Sequence, residues 1–338
     1  MTVRGTTSGT PAATMRAARI HEIGVPDEIR LDSVAVPGPG PGQILVAVHA
    51  AAVNFPDTLM IAGSYQLQTP LPFIPGNEAA GTVAALGDGV TGLRLGDRVA
   101  ILAPNAFAEY CLAPASAAVL IPETVSFAEA AATWVCHLTA FHALRSAAAV
   151  RPGENVLVLG AGGGVGLAAV ELATALGANV VAAASSADKL AAARGKGAAH
   201  TVNYADDGLR ESLRSSLGAG QLDVVIDPVG GPLAELALRE LRWGGRFVTL
   251  GYASGEIPSI PLNLVLLKGV TVKGLEIRTF ASHDPASAAR DREEFTAMWT
   301  SGRIRPVISA EFPLEQTREA LEAVAHRRTV GKTIIRIA

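Results

Sequence analysis

The pattern of hydrophobic and polar residues differs between the first third of the chain, where short apolar runs alternate with turns, and the middle, where helical spacing begins. From about residue 17 to residue 112, short β-branched runs such as residues 44–48 are separated by turns rich in proline and glycine. This pattern predicts a compact and mostly antiparallel β domain. From residue 127 to residue 147, alanines and larger apolar residues recur at intervals of three and four, which predicts helix. We interpret this helical segment as the link between two domains.

A second pattern extends from residue 155 to about residue 277, where apolar runs alternate with amphipathic segments. The apolar runs are residues 156–159, 180–183, 200–202, 224–226 and 247–250. Such alternation predicts a parallel sheet covered by helices on both faces, which is a doubly wound α/β domain.

The tail from about residue 281 combines two helical segments with a final apolar strand at residues 333–335. We expect this tail to pack on the β domain, which makes that domain discontinuous. The predicted organisation is a flexible extension at residues 1–14, a β domain at residues 15–138 and 281–338, and a parallel-sheet domain at residues 139–280.

Length, charge and cysteine content narrow the class of protein. The 338 residues exceed what one hydrophobic core organises, so two domains are expected. With a formal net charge of -3 and no basic stripe, nucleic acid is not an expected partner. No apolar stretch is long enough to span a membrane, and the first residues carry no secretory signal. Cys111 and Cys136 are too few for a disulfide framework, so we expect a cytoplasmic protein.

Glycine dominates the turn that follows the apolar run at residues 155–159. The turn consists of Gly160, Ala161, Gly162, Gly163, Gly164, Val165 and Gly166. It is a variant, Ala-x-Gly-x-x-Gly, of the pattern that lets a backbone turn tightly, admit a pyrophosphate and pack a helix closely on a strand. The N-terminus of that helix offers amide hydrogens to phosphates. Because a strand precedes the turn and a helix follows it, we predict a dinucleotide site rather than a purely structural glycine turn.

The end of the next strand distinguishes NADPH from NADH. An acidic residue there would bind a ribose hydroxyl and repel a phosphate, but this strand ends at Ser185 and Ser186. Asp188 lies beyond the usual acidic position, and the charge of Lys189 suits a 2′-phosphate. The pattern favours NADPH. The alternative is that a serine only caps the next helix while Lys189 is solvated.

Several separated motifs, in this order, resemble one known family. They are AAAVNFPD at residues 50–57, GSY at 63–65, LPFIPGNEAAG at 71–81, GDRV at 96–99, LTAFHAL at 138–144, the glycine turn, and GK at 331–332. From Met15 onward the chain resembles the medium-chain dehydrogenase/reductase superfamily, and within it the zinc-free quinone oxidoreductase branch that includes zeta-crystallin. The resemblance implies a GroES-like β domain and a Rossmann domain, with the nicotinamide held in the cleft between them. It also implies a homodimer.

The resemblance further assigns residues to the cofactor. Family members that use NADPH hold its 2′-phosphate region with residues matching Ser185, Lys189 and Tyr204, and a residue matching Thr139 lies beside the nicotinamide. Without the resemblance, Tyr204 and Thr139 would be an ordinary strand-end aromatic and an ordinary helix residue. Besides the glycine turn, the residues predicted to bind NADPH are Asn54, Thr139, Ser185, Ser186, Lys189, Tyr204, Gly251 and Tyr252.

The positions that hold catalytic zinc in related dehydrogenases carry other residues here. Those relatives use an early cysteine, the histidine of a Gly-His-Glu motif and a later cysteine. This chain has Asn54 and Asn77 at the first two positions, and it lacks the block of four cysteines that binds structural zinc. Cys136 and His137 lie near the third position, but we interpret them as helix packing residues. No metal site is therefore predicted.

Reduction of a quinone or an activated C=C without a metal needs a hydride, a group that holds the acceptor carbonyl, and a proton source. We predict that Asn54 and Tyr65 are catalytic. The amide of Asn54 can donate a hydrogen bond to cofactor or substrate, and the hydroxyl of Tyr65 can protonate or polarise the acceptor. Their spacing resembles that of 2-enoyl thioester reductases, in which the tyrosine is the proposed proton donor. The alternative is that Tyr65 caps a loop and water supplies the proton. We interpret Asp57 and Glu78 as structural.

One segment departs from the family pattern. Where many relatives carry aromatic residues that line the substrate pocket, this chain has LEIRTFASH at residues 275–283. Glu276 and Arg278 make the pocket wall polar if they face inward; otherwise they pair with each other on the surface.

The predicted function is that of an NADPH-dependent oxidoreductase that transfers a hydride to a quinone or to the activated C=C of an unsaturated carbonyl compound. The alternatives are a 2-enoyl thioester reductase, an alcohol dehydrogenase and a non-enzymatic NADPH-binding protein.

Overall fold

Two units, each built on its own sheet, make up the chain. The computed structural model describes residues 13–24, 29–66, 69–206 and 208–338. Unit 1 comprises Met1–Trp134, Ala310–Arg328 and Thr333–Ala338, and unit 2 comprises Val135–Ser309 and Thr329–Lys332. The first boundary falls within the helical segment that the sequence predicts as a link. Most of the predicted extension, residues 1–12, lies outside the described residues.

Unit 1 begins with seven strands and two short helices. The strands are β1 (Thr14–Ile20), β2 (Ile29–Ala35), β3 (Gln43–Val53), β4 (Glu78–Leu86), β5 (Arg98–Leu102), β6 (Tyr110–Pro114) and β7 (Val119–Leu120). The helices are α1 (Phe55–Ile61), which follows β3, and α2 (Phe127–Ala131), which follows β7. β1 pairs with β2, while β3 pairs with β4 and β6, β4 with β5, and β5 with β7, always antiparallel. This part of unit 1 therefore matches the predicted antiparallel β domain.

Unit 2 alternates helices and strands after α3 (Trp134–His142) and a π-helical turn (Ala143–Ala147). Its strands are β8 (Asn155–Leu159), β9 (Asn179–Ala184), β10 (His200–Asn203), β11 (Leu222–Asp227), β12 (Leu241–Thr249) and β13 (Thr271–Gly274). Its helices are α4 (Gly164–Ala175), α5 (Ala187–Gly195), α6 (Leu209–Leu217), α7 (Pro232–Glu240), α8 (Leu262–Lys268), α9 (Ile277–His283) and α10 (Pro285–Thr300). Within the part of the chain that the structure describes, no helix is both long and apolar enough to cross a membrane.

The sheet of unit 2 has the strand order β10-β9-β8-β11-β12-β13, and every pair is parallel. β9 and β11 are buried almost throughout, as expected of parallel strands covered on both faces. From β8, successive strands are added on one side as far as β10, and from β11 they are added on the opposite side as far as β13, so the strand order reverses between β8 and β11. In such sheets the ligand site lies at the carboxyl ends of the strands on either side of the reversal.

The C-terminal residues return to the sheet of unit 1 through β14 (Ile308–Pro313), α11 (Thr317–Ala325) and β15 (Lys332–Arg336). β15 pairs antiparallel with β3, which makes β3 a central strand of the sheet. The apolar side chains of unit 1 form one core cluster, in which Ile44, Ile101, Phe107 and Ile335 are fully buried. As predicted, the final apolar strand packs on the β domain.

The segment before β14 differs from the sequence prediction, which assigns residues 281–338 to the β domain. Residues 281–309 belong to unit 2. There, the ring of Phe295 on α10 lies 6.0 Å from that of Phe141. His142 Nδ1 lies 2.9 Å from Asp291 Oδ2, and both side chains are buried. These contacts join residues that are distant in the chain, so the periodicity of α10 does not reveal them.

Candidate functional site

The glycine turn joins β8 to α4, as the sequence predicts. Gly160 has a φ of +60°, a conformation that suits glycine, and Gly163 is the N-cap of α4. A Cβ atom on Gly166 would collide with the carbonyl group of Gly160, 2.7 Å from its carbon. Glycine is therefore needed at position 160 for backbone conformation and at position 166 for the close approach of helix and strand.

The first turn of α4 is a candidate anion site. The N–H groups of a first helical turn have no acceptor within the helix, and the helix dipole favours negative charge there. The first turn of α4 contains no acidic residue. This end of the helix can therefore accept the pyrophosphate of a dinucleotide.

A C-terminal segment supports the glycine turn from within unit 2. Gly331 N donates a hydrogen bond of 2.8 Å to Gly162 O, and Gly331 forms a parallel bridge with Gly163. Gly331 has a φ of +80°, and a Cβ there would lie 3.0 Å from Val307 Cβ and closer still to Val307 O. The sequence shows Gly331 only as part of a short motif, because its partner lies far away in the chain.

Lys189 packs directly on the glycine turn. A Cβ atom on Gly162 would lie 2.8 Å from Lys189 Cδ and still closer to its Cγ and Cβ. Lys189 belongs to the first turn of α5, and its side chain is half-buried. The structure therefore brings together two elements that the sequence predicts as separate parts of a cofactor site.

Ser185, Ser186 and Tyr204 lie at the carboxyl ends of β9 and β10. Ser186 is the N-cap of α5, but its side chain makes no capping hydrogen bond. Tyr204 N donates to Ala184 O at 3.2 Å, which fastens the end of β10 to that of β9. The structure thus gathers these three residues and Lys189 at one edge of the sheet.

Gly251 and Tyr252 follow β12, on the other side of the order reversal. The ring of Tyr252 lies 2.7 Å from the position of a Cβ on Gly230, whose φ is +69°. Both residues therefore have the carboxyl-end position expected of cofactor contacts. Thr139 lies on α3, where its hydroxyl donates a hydrogen bond of 2.6 Å to Val135 O, the ordinary bond of a helical threonine.

Asp227, at the end of β11, is a buried residue that the sequence prediction missed. Its Oδ1 accepts hydrogen bonds from Val229 N (2.8 Å) and Gly230 N (2.9 Å), while Oδ2 has no partner among the described residues. Burial raises the pKa of Asp227 above its usual value and outweighs these two hydrogen bonds. The only signal in the sequence is an acidic residue at the end of an otherwise apolar strand.

In unit 1, the two asparagines at the zinc-ligand positions bind two buried carboxylates. Asn54 Nδ2 donates to Glu78 Oε1 at 2.9 Å, and Asn77 Nδ2 donates to Asp57 Oδ1 at 2.9 Å. Asp57 Oδ2 also accepts a hydrogen bond of 2.8 Å from the backbone N–H of Asn54. Asp57 and Glu78 thus order the start of α1, in agreement with the structural role that we expect for them.

The amide nitrogen of Asn54 is already engaged within unit 1. Besides the bond to Glu78, it contacts Ala52 O at 3.4 Å. Because both donor hydrogens point to these acceptors, Asn54 is less suited to donate to a substrate than the sequence suggests. Its carbonyl oxygen faces the backbone N–H of Asp57 in the capping box at the start of α1.

Tyr65 lies beyond the end of α1 and is half-buried. Asn54 is the N-cap of the same helix. A helix of this length has a rise of about 10 Å, so the two predicted catalytic residues mark opposite ends of α1.

Cys136 and His137 lie on α3 and contact the start and middle of α4. Cys136 Sγ would lie 2.7 Å from a Cβ on Gly164, and Lys332 Nζ donates to that sulfur at 3.6 Å. His137 Nε2 lies 3.2 Å from Glu171 Oε2. Both side chains are buried. These contacts agree with our interpretation of the pair as packing residues.

Glu171 is a second charged residue that the sequence prediction missed. Lys196 Nζ donates to Glu171 Oε1 at 2.8 Å. Burial raises the pKa of Glu171, but the hydrogen bonds from His137 and Lys196 outweigh it and lower the pKa. The cluster borders a cavity of about 10 Å³ beneath α4. Within residues 13–24, 29–66, 69–206 and 208–338, no three His, Cys, Asp or Glu side chains form a group that could hold a metal ion.

Glu276 and Arg278 pair with each other at 3.0 Å, and about half of the Arg278 side chain is exposed. Glu276 also caps α9 by accepting from Thr279 N at 2.8 Å. Burial raises the pKa of Glu276, but hydrogen bonds from Thr279 and Arg278 outweigh it and lower the pKa to about 2. Of the two alternatives for this charged pair, the structure favours mutual pairing.

Two family models match the chain. The model described as "Alcohol dehydrogenase GroES-like domain" matches residues 40–123, and the model described as "Zinc-binding dehydrogenase" matches residues 164–291. The first match lies in unit 1 and the second in unit 2. They confirm the predicted fold class, a GroES-like β domain with a Rossmann-type domain.

Named relatives cover nearly the whole chain. A mouse protein, quinone oxidoreductase-like protein 2, is 38% identical over 95% of this chain and 91% of its own length. The structure of Escherichia coli quinone oxidoreductase complexed with NADPH has 30% identity and a TM-score of 0.85, and covers 95% of this chain and 99% of that chain. An NAD-dependent alcohol dehydrogenase has 30% identity and a TM-score of 0.89, and covers 96% and 100%. The NADPH bound in the E. coli structure confirms the predicted cofactor, NADPH.

Proposed function

Because the chain belongs to the quinone oxidoreductase branch of the medium-chain dehydrogenase/reductase superfamily, we propose that it transfers a hydride from NADPH to a quinone or to the activated C=C of an unsaturated carbonyl compound, without zinc. The observation that carries this proposal is the packing of Lys189 on the glycine turn at Gly162. When bound, NADPH supplies the hydride.

The cofactor assignment follows from charge at the edge of the sheet. β9 ends in Ala184 and is followed by Ser185 and Ser186, so no carboxylate occupies the position that selects NADH. Lys189 brings a positive charge beside the turn that receives the pyrophosphate. A 2′-phosphate therefore finds a cation and two hydroxyl groups there. The E. coli relative, whose structure is complexed with NADPH, supports this assignment.

Zinc independence is supported by the chemistry of the first two ligand positions. Asn54 and Asn77 direct their amide nitrogens to Glu78 and Asp57, which are acceptors. An amide nitrogen is not a zinc ligand, and each of these two nitrogens donates to a buried carboxylate instead. The first two ligand positions thus hold hydrogen-bonding amides in place of the cysteine and histidine that zinc uses.

The acceptor is proposed from the residues at the two ends of α1. The side chain of Asn54 orders the start of α1 through Glu78 and the backbone of Asp57. Tyr65 carries a hydroxyl that can donate a proton or a hydrogen bond to a carbonyl oxygen. A donor of this kind suits an enone and an enoyl thioester as well as a quinone. We therefore keep 2-enoyl thioester reduction as the second candidate.

A homodimer is proposed from an exposed apolar patch in unit 2. The patch consists of Trp243, Ile257, Leu262, Leu266, Leu267 and Val272. Leu266 is 80% exposed, and Trp243 lies against Gly269, 3.1 Å from the position of its Cβ. β13, beside this patch, is the edge strand of its sheet and is exposed along its length. A second copy can cover the patch and pair its own β13 with this edge about a two-fold axis.

Light scattering tests the dimer. Leu266→Glu should lower the molecular mass in solution to that of one chain, because the charge would be buried in the interface. Leu95→Glu is the control, since Leu95 is 56% exposed in unit 1, outside the patch. A mass unchanged by Leu266→Glu would contradict the proposal.

The cytoplasm is the proposed location. Cys111 and Cys136 are both buried, and burial raises the pKa of Cys111 to about 12, so that its thiol stays protonated. Neither residue needs an oxidising compartment.

NADPH oxidation measured against a panel of quinones, enones and enoyl thioesters tests the activity. We expect oxidation with at least one class, and a parallel metal assay should find no stoichiometric zinc. Binding of NADPH without oxidation across the panel would favour a non-enzymatic protein. One zinc per chain with alcohol oxidation would instead favour an alcohol dehydrogenase.

A further inference from the structure

A short loop, residues 228–231, joins β11 to α7 and is held by the side chain of Asp227. Asp227 Oδ1 accepts hydrogen bonds from Val229 N at 2.8 Å and Gly230 N at 2.9 Å, so one carboxylate oxygen closes the start of the loop. The other oxygen has no partner among the described residues, although Asp227 is completely buried. Burying an acceptor without a partner costs stability, and such costs are expected mainly at functional sites.

The loop 228–231 lies against the glycine turn. A Cβ atom on Gly160 would lie 2.6 Å from Val229 Cγ2, so the side chain of Val229 rests on the first residue of that turn. Val229 is also one of the two residues whose N–H groups bind Asp227. The carboxylate therefore fixes the residue through which the loop meets the turn that is proposed to receive the pyrophosphate.

The same loop supports the segment that follows β12. Val229 O accepts a hydrogen bond of 2.8 Å from Ser254 N. Gly231 N, at the end of the loop, donates to Glu256 O at 3.0 Å. The segment begins with the two residues after β12 that we predict to contact the cofactor. Its backbone is thus bound to the loop that Asp227 holds.

The order of the strands decides which half of the cofactor this loop adjoins. Ser185, Lys189 and Tyr204, which are proposed to bind the 2′-phosphate, follow β9 and β10 on one side of β8. The glycine turn after β8 is proposed to receive the pyrophosphate. A dinucleotide that spans the order reversal must therefore extend its nicotinamide half over the carboxyl ends of β11 and β12, where the loop and the segment after β12 lie.

We propose that Asp227 is a positioning residue for hydride transfer. Its carboxylate holds the loop 228–231 and, through this loop, the segment after β12, so that the nicotinamide is kept in the reactive orientation. Asp227 acts through the loop and touches neither cofactor nor acceptor, because its side chain is fully buried. The inference rests on the proposed use of NADPH.

A graded set of substitutions at position 227 tests this role by kinetics. Asp227→Asn retains an oxygen for both N–H groups, Asp227→Ser offers a hydroxyl that accepts more weakly, and Asp227→Ala offers no acceptor. With the acceptor found in the panel of quinones, enones and thioesters, kcat should stay within about twofold of the wild-type value in Asp227→Asn and fall by at least about tenfold in Asp227→Ala, with Asp227→Ser between them. The isotope effect with NADPH deuterated at the transferred hydride should rise in the same order, because a misplaced nicotinamide slows hydride transfer relative to the other steps.

Two binding measurements need no turnover. 2′,5′-ADP carries the adenine half of NADPH with its 2′-phosphate, and its dissociation constant should change by less than about twofold in all three variants, because its proposed contacts lie beside β9 and β10. The fluorescence of bound NADPH comes from the nicotinamide. Its enhancement on binding should be smallest in Asp227→Ala, since the ring is held least firmly in that variant.

Asp223 provides the matched control near the opposite end of β11. It is also buried, and its Oδ2 accepts a hydrogen bond of 2.7 Å from Asn155 N. Asp223→Ala should lower the midpoint of thermal unfolding, because it leaves that N–H without this acceptor. It should leave kcat, the isotope effect and the fluorescence of bound NADPH unchanged. The comparison separates a loss of stability from a loss of orientation.

Equal kcat and isotope effects in Asp227→Asn and Asp227→Ser would overturn the inference, and this comparison decides the question even if Asp227→Ala does not fold. Weaker binding of 2′,5′-ADP in Asp227→Ser would also overturn it, since the change would then extend to the adenine side. A wild-type chain that binds NADPH but oxidises it with no acceptor would instead contradict the proposed function. The fluorescence series would still test Asp227 in that case.

Discussion

Asn54 Nδ2 lies 2.9 Å from Glu78 Oε1, and both side chains are buried. A carboxylate only accepts hydrogen bonds, so Glu78 fixes the nitrogen end of the Asn54 amide towards itself. The carbonyl end must then face the other way. One buried charge thus fixes the orientation of the Asn54 amide, whose oxygen faces the backbone N–H of Asp57 in the capping box of α1.

Removal of that carboxylate should destabilise unit 1. Glu78→Ala leaves the Asn54 amide buried with one acceptor fewer, so we expect a loss of about 1–3 kcal/mol in the free energy of unfolding. Urea denaturation measures this loss in the free energy of unfolding. Glu123→Ala is the control, because Glu123 is exposed in the same unit, and it should change stability by less than about 0.5 kcal/mol. Similar values for the two variants would refute this account of Glu78.

Lys189→Ala should weaken NADPH by at least about tenfold and leave NADH almost unchanged, because only NADPH carries the phosphate that the ammonium binds. Fluorescence titration gives both dissociation constants. Arg194→Ala removes a positive charge from the last turn of the same helix, and it should leave the ratio of the constants unaltered. Equal loss for both cofactors would exclude contact between Lys189 and the phosphate.

Tyr65→Phe should slow enone reduction by about tenfold or more and quinone reduction much less, because an enolate needs a proton at carbon or oxygen whereas a quinol can take its protons from water. Steady-state kcat and KM with both acceptors measure the difference. Tyr110→Phe, a half-buried tyrosine on β6, is the control. Unchanged rates in Tyr65→Phe would leave water as the acid.

Asp227→Asn should stabilise the protein at neutral pH and lose this advantage in acid. Burial raises the pKa of Asp227 in the folded state, so the folded state binds a proton that the unfolded state has released. The protonated Asp227 therefore favours the folded state. This stabilisation is fully present at a pH below the pKa that Asp227 has in the unfolded chain, and it is lost as the pH rises through the higher pKa of the folded state. Unfolding free energies near pH 3 and pH 7 test it. A variant that is less stable at both values would contradict the assignment.

The sequence predicts those features that depend on local pattern. Alternation of apolar residues gives both domain types, and the glycine turn is placed correctly because its strand and helix are its neighbours in the chain. No local pattern predicts the contact of Lys189 with Gly162, because this contact forms only when α5 packs on the glycine turn. The hydrogen bond from Gly331 to Gly162 depends on a segment near the C-terminus, which no local pattern connects to the turn.

The contacts of charged residues are likewise not predicted by local sequence patterns. Glu276 and Arg278 are two positions apart, and their orientation decides between a polar pocket wall and a surface pair. That orientation follows from the start of α9, where Glu276 is the N-cap. Asp291 is a stronger case, because its burial beside His142 places residues 281–309 in unit 2 rather than in the β domain. Helical periodicity identifies α10 but not its partner.

The bond between Gly331 and Gly162 also has a consequence for biosynthesis. During translation, every residue of the glycine turn leaves the ribosome long before Gly331 is made. The nascent chain can form β8 and α4 early, but the turn acquires this backbone partner only after residue 331 has been made. A product that stops short of residue 331 would retain the whole glycine motif and yet lack the hydrogen bond that supports it.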